Sequence, residues 1–122
     1  MKISQQVWTE DQGWAASPQP AQNAQLVLVF GSSQSFENTS WIPTLRSQYP
    51  KALIFGCSTA GEIAGTEVSD GTVVATAIEL EKSSIKLALV AVAECLGSEE
   101  AGRKLAAQLT HQNLAHVFVL SD

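Results

Sequence analysis

The sequence predicts an α/β fold: a mixed β-sheet built from a βαβ unit, a β-hairpin and a second helix–strand unit, together making part of one domain. Three observations carry that expectation. Continuous apolar runs rich in Val, Leu, Ile and Phe occupy 26–30, 52–55 and 116–120, the pattern of strands buried on both faces. Helical spacing fills two of the gaps, with Trp41, Ile42, Leu45 and Tyr49 on one stripe and Ala101, Leu105 and Leu109 on another. Two further β-favouring runs, 72–80 and 85–92, flank the short polar turn Glu81-Lys82-Ser83-Ser84, the signature of an antiparallel hairpin.

In chain order, residues 1–25 read as an N-terminal extension. Ile3, Val7, Trp8 and Trp14 are its candidates for packing on the domain, because disordered tails are poor in aromatics. Ser17-Pro18-Gln19-Pro20-Ala21-Gln22-Asn23 is linker-like. The strand at 26–30 ends in the turn Gly31-Ser32-Ser33. Ser40 is the expected N-cap of the first helix, because it puts Pro43 in the first turn, where no N–H bond is needed. Pro50 stops that helix, and 52–56 follows as a strand. A strand, a helix and a strand this close form a right-handed βαβ unit, hence a parallel pair. The strands near 26–30, 52–56 and 116–120 are expected to be buried. The 72–80 and 85–92 hairpin should extend the sheet or form a second layer. Ser98 is placed to cap a helix running to about His111, with Glu99 and Glu100 favourable in its first turn. Asn113 is a candidate left-handed cap.

Composition narrows the function classes. Of 122 residues, 45% are hydrophobic and 16% charged, and 12 acids against 7 bases give a net charge of −5. No basic cluster is present, which argues against nucleic acid and anionic membrane as partners. The first residues are polar and lack a hydrophobic signal region, and no apolar run reaches membrane-spanning length. Cys57 and Cys95 sit in different settings and suggest no disulfide framework, so the expected location is the cytoplasm.

The stretch Phe55-Gly56-Cys57-Ser58-Thr59-Ala60-Gly61-Glu62-Ile63 concentrates the candidate chemistry. Gly56 and Gly61 offer positive φ and close backbone approach. Cys57, Ser58 and Thr59 bring a thiol, two hydroxyls and backbone N–H groups into one turn. Gly56 and Gly61 have the glycine spacing of a Walker A loop, but Glu62 and Ile63 replace its Lys and hydroxyl. A carboxylate there repels a triphosphate. A nucleophile elbow fails at Ala60, which stands where the second glycine belongs. A phosphatase-type cysteine loop lacks its arginine. The loop suits a neutral or amine-bearing small ligand. Three strand ends carry small polar groups: Gly31-Ser32-Ser33, Gly56 to Thr59, and Ser121-Asp122. Parallel strands would gather them on one sheet edge, where open α/β folds bind ligands.

Each candidate has an ordinary structural alternative. Cys57 as nucleophile or redox sensor needs a cation, helix N-terminus or metal to lower its pKa, and none is adjacent in sequence. Cys95 reads as a packed residue. Glu62 is either a partner for a ligand amine or a solvated or helix-dipole carboxylate. Asp70-Gly71 reads as a turn. His111 and His116 are the only imidazoles and lack zinc-like spacing. The absence of catalytic pairings argues against an enzyme.

The run Ala52-Leu53-Ile54-Phe55-Gly56-Cys57-Ser58-Thr59-Ala60-Gly61-Glu62-Ile63, with Val68-Ser69-Asp70-Gly71-Thr72-Val73-Val74 after it, resembles the signature of the FIST N domain. The resemblance covers 26–122 and implies the N-terminal part of such a domain, with more of it and a C domain to follow. It implies an intracellular sensory module, attached to or encoded beside bacterial signalling proteins. A histidine kinase or a cyclic-dinucleotide enzyme would be the partner. The implied ligand is a small molecule such as an amino acid. The ligand-contacting set expected from the loop and the converging strand ends is Gly56, Cys57, Ser58, Thr59, Ala60, Gly61 and Glu62, with Gly31 and Ser32 beside them. The alternative it implies is a haem-based nitric-oxide sensor, with non-covalent haem on His111 or His116. A fragment of such a domain should also self-associate through exposed apolar faces and an unpaired sheet edge.

Overall fold

The computed structural model describes residues 1–17, 21–109 and 112–120. The chain divides into two units, Met1–Ser84 and Ile85–Asp122. The first contains five sheet strands, β1 (Lys2–Thr9), β2 (Gly13–Trp14), β3 (Leu26–Gly31), β4 (Leu53–Ser58) and β7 (Val73–Glu79). It also holds helices α1 (Ser33–Glu37) and α2 (Trp41–Gln48) and a small hairpin of β5 (Glu62–Ala64) with β6 (Glu67–Ser69). The strand order is β2-β1-β7-β3-β4.

The expected βαβ unit is present. β3 and β4 are parallel, from Leu26 opposite Leu53 to Gly31 opposite Ser58. The intervening helical segment includes a turn the sequence did not announce. Ser32 is extended, and its Oγ accepts the Ser35 N–H at 3.1 Å, capping the short helix α1. Ser40 does precede α2, but with helical dihedrals and no side-chain cap bond. Asn38 Oδ1 instead accepts the Ser40 N–H at 3.2 Å.

β7 lies between β3 and β1 and is antiparallel to both. This overturns two expectations. Residues 1–25 are not simply an extension, because β1 is laddered to β7 from Lys2 opposite Glu79 to Trp8 opposite Val73. The hairpin of 72–80 with 85–92 does not form, because both edges of β7 are already hydrogen-bonded. Residues 85–91 adopt no regular structure, and Val92–Glu94 is a single 3₁₀ turn. The strand expected at 116–120 is also absent, and Val117, Phe118 and Val119 are all more than half exposed. Pro18 to Pro20 of the expected linker, His111, and the strand end Ser121-Asp122 lie outside the described residues.

Burial is one-sided. Val27, Val29 and Gly31 of β3 are buried, whereas Leu26, Leu28 and Phe30 are half-buried. Five of the six residues of edge strand β4 are half-buried and Ser58 is exposed, so neither strand is enclosed on both faces as expected. The covered face packs Val27, Val29, Val73, Ala75 and Ala77 against Trp41, Leu45 and Tyr49. Trp8 joins this core and Trp14 packs against it, so the N-terminal aromatics do anchor the chain. Trp41 Nε1 donates to Ser35 O at 2.8 Å, and Trp14 Nε1 donates to Trp41 O at 3.1 Å. The rings of Trp14 and Phe36 meet Trp41 edge to face.

Within Ile85–Asp122, α3 spans Ser98–Gln108. Gly97 rather than Ser98 occupies the N-cap position, at φ 154°, and no side chain caps it there. Glu100 reaches back to accept the Leu96 N–H at 2.7 Å, and Lys104 lies 3.1 Å from it one turn on. Those two partners hold the Glu100 carboxyl below the ordinary glutamate value of 4.5. The helix ends before His111. Asn113 has the expected left-handed φ of 61° but lies beyond the helix C-cap at Leu109.

Three outcomes follow. Gly56 lies in β4 opposite Val29, and an added Cβ would run into the Val29 backbone carbonyl. Gly56→Ala should therefore lower stability by about 3 kcal/mol and the melting temperature by roughly 10 °C or more. Gly61→Ala, whose Cβ would meet nothing closer than 3.8 Å, should stay within about 0.5 kcal/mol of the parent in urea denaturation. For Glu100, the folded-state value lies below the unfolded one, so its contribution is present above pH 4.5 and is lost as pH falls through the folded value. Far-UV circular dichroism should show the parent losing α3 signal on acidification, and Glu100→Gln should show a smaller loss in that window.

Candidate functional site

The parallel pair fixes where chemistry can gather. β3 ends at Gly31 and β4 at Ser58, side by side, and β7 starts at the same edge with Val73. Thr72, Ser32 and Thr59 follow or precede these ends directly. Their backbones are tied together: Ser32 N–H donates to Thr72 O at 3.3 Å, and Thr59 N–H donates to Gly31 O at 2.8 Å. An added Cβ on Gly31 would lie 2.9 Å from Thr72 O, so only glycine lets this crossing close. Ser35 Oγ donates to Gly71 O at 3.2 Å from the helical side. Gly31, Ser32 and the Gly56 to Thr59 stretch thus meet on one edge.

Glu62 is the centre of this edge. Its residue is only 1% exposed. Thr59 Oγ1 donates to its Oε1 at 2.8 Å. Thr72 donates twice to Oε2, from its backbone N–H at 3.3 Å and its hydroxyl at 3.1 Å. Because the Thr72 hydroxyl spends its single proton on Glu62, Ser69 Oγ must donate to Thr72 Oγ1 at 2.9 Å. A short relay therefore runs from Ser69 through Thr72 to the carboxylate. No Lys or Arg reaches Glu62 among the described residues, and directed hydrogen bonds hold the group. Glu62 does turn inward, but both oxygens are engaged by the protein itself. It is the strut of the loop rather than a free acceptor for an amine.

The remaining loop groups divide by strand alternation. Gly56 and Ser58 share the face of Val29, and Cys57 takes the opposite face beside Phe30. Cys57 is a half-buried free thiol with no cation or base bonded to it among the described residues. Neither Gly56 nor Gly61 has positive φ; Gly56 serves close approach instead. Thr59 turns inward to Glu62, leaving Ser58, Ala60 and Gly61 as the exposed surface of the loop. Asp70-Gly71 is the expected turn, with Gly71 at φ 73° and its N–H on Asp70 Oδ1.

Sequence reasoning missed a small cavity of about 140 Å³ on this side of the sheet, lined in part by Glu10, Gln34, Ser35 and Asn38. Asn38 Nδ2 donates to Glu10 Oε1 at 3.2 Å. These residues are brought together by β1 joining the sheet, which no local pattern announced. His116 is an exposed side chain in Ile85–Asp122, and no group of three metal-ligating side chains forms among the described residues.

Glu62 variants test the strut. In Glu62→Gln the amide oxygen can still accept from Thr72 while its NH₂ turns to Thr59 Oγ1, so the cost should be about 1 kcal/mol. Glu62→Ala leaves a buried N–H unpaired and should cost about 3 kcal/mol in urea denaturation. Thr59→Val should likewise lower stability rather than leave it intact, because its hydroxyl serves the carboxylate.

No curated protein and no solved structure matches the chain. The family model of the FIST N domain matches residues 25–122. The match takes in β3, β4, the Glu62 loop and the start of β7, the elements that build the edge described above. The chain belongs to the FIST N domain family, a family of sensory and signal-transduction modules.

Proposed function

We propose that the chain is a non-enzymatic sensory domain that binds a small molecule bearing a carboxylate, such as an amino acid, at the carboxyl edge of β3 and β4. The observation that carries this reading is the Glu62 strut. It joins the exposed loop to the start of β7 and, as the first residue of β5, to the β5–β6 hairpin. A ligand on the outer surface of the loop, held by the Ser58 hydroxyl and the Ala60 and Gly61 N–H groups, would shift Thr59 and so alter this network. Such a ligand changes the conformation only by the difference in its affinity for the two arrangements. The altered hairpin and loop would be read by a cytoplasmic signalling partner, a histidine kinase or a cyclic-dinucleotide enzyme. That no base or cation bonds Cys57 among the described residues supports the non-enzymatic reading.

The test is titration with a panel of common amino acids, followed by loop amide resonances and calorimetry. Binding should perturb Ser58 to Glu62, and Ser58→Ala should weaken it about tenfold with an unchanged melting temperature. A panel that leaves those resonances in place overturns the proposal. Haemin titration tests the haem alternative separately, which requires a Soret band that disappears in His111 or His116 variants. Self-association is proposed through the outer edge of β4, which has no strand neighbour in the sheet among the described residues. Sedimentation velocity should show concentration-dependent size, and a monomer at every concentration overturns it.

A further inference from the structure

The covered face of the sheet holds a second feature that the loop does not explain. β1 places Ser4, Gln6 and Trp8 on that face, among Val27, Val29, Ala75 and Ala77. Ser4 bonds Ser17, Oγ to Oγ at 2.7 Å. Gln6 is 6% exposed, and its Nε2 donates to Gln48 Oε1 at 2.8 Å. Its other amide atom has no partner among the described residues. Tyr49, 5% exposed, likewise has no partner for its hydroxyl among them. No enclosed side-chain nitrogen or oxygen is left unbonded among the described residues, so both of these oxygens open onto accessible space. The space they share is a cavity of about 380 Å³, lined also by Trp14, Ser17, Gln22 and Gln48.

We propose that this cavity is a second binding site, for an uncharged planar ring with adjacent hydrogen-bond donor and acceptor groups, of the size of nicotinamide or a nucleobase. The volume lies within the range of small-molecule pockets, which are mostly apolar with a few placed polar groups. Among the described residues no charged side chain lines it, so they offer an ionic ligand no partner. Trp14 and Tyr49 supply aromatic surface for a flat ring. Gln6 and Tyr49 supply the unpaired hydrogen-bonding groups. Oxygens that open onto accessible space are bonded by water, which a ligand group that reproduces those bonds can displace. A ligand's donor and acceptor complete both groups. The site is independent of the Glu62 loop.

The experiment titrates nicotinamide, adenine and uracil into the chain, with benzoate as the charged control. It follows the side-chain amide resonances of Gln6, Gln22 and Gln48 and the Trp14 indole. At least one neutral probe should shift them saturably, and benzoate should not. Gln6→Met and Tyr49→Phe should each weaken that probe at least tenfold while leaving the melting temperature unchanged or raised. A role confined to the fold would instead lower the melting temperature. Absence of any shift with all neutral probes at about 5 mM, wild-type affinity in both variants, or a lowered melting temperature in both, would overturn the proposal.

Discussion

The double-sided ladder of β7 is the constraint on which the sheet depends. A strand has two hydrogen-bonding edges, and β7 gives one to β3 and the other to β1. That allocation joins the parallel β3–β4 pair to the N-terminal segment and puts Val73, Ala75 and Ala77 at the centre of the core. It also sets the geometry of the edge where the signature sequence lies. β7 begins beside the ends of β3 and β4, so Thr72 stands within reach of Glu62. The same allocation leaves no edge of β7 for 85–92.

The parts of the fold legible in the sequence are those whose local pattern agrees with their final surroundings. Leu26 to Phe30, Leu53 to Phe55 and Val73 to Ile78 are apolar and β-favouring, and each finds a ladder. Trp41 and Leu45 carry helical spacing and face the core. β1 was not legible because its buried face presents Ser4 and Gln6, whereas Ile3 points away and is 56% exposed. The β5–β6 hairpin is inverted in the same sense: Glu62 is buried and Ile63 and Val68 are exposed. Conversely, 85–92 and 116–120 have the composition of strands without a ladder among the described residues. Composition reports which surroundings a segment tolerates, but pairing depends on partners far along the chain.

The site shows the same division. The sequence located the end of β4 and the loop after it, because two glycines around small polar residues after an apolar run mark a strand end. It could not tell what those residues do for one another. Gly56 is needed for the approach of Val29 rather than for an unusual dihedral, and Glu62 accepts hydrogen bonds from two threonines. The hydroxyls of Thr59 and Thr72 look interchangeable with that of Ser58 in the sequence. In the structure the first two are committed to a buried carboxylate and only the third is exposed. The signature therefore contains both the support of the loop and its outer surface.

The pairing of β1 with β7 has a consequence for the order in which the chain acquires its structure. Gln5 and Thr76, which bond across this ladder, are 71 residues apart. During synthesis β1 emerges first and its partner much later, so the ladder closes only after β3, α2 and β4 have all left the ribosome. Until then the edge of β1 that β7 will cover stays open. Its interior-bound Ser4 and Gln6 make it a poor template for intermolecular pairing during that wait, since hydrophobic, uncharged strands are the ones that aggregate. The polar residues that conceal β1 in the sequence thus guard it against misplaced pairing until β7 arrives to fix it.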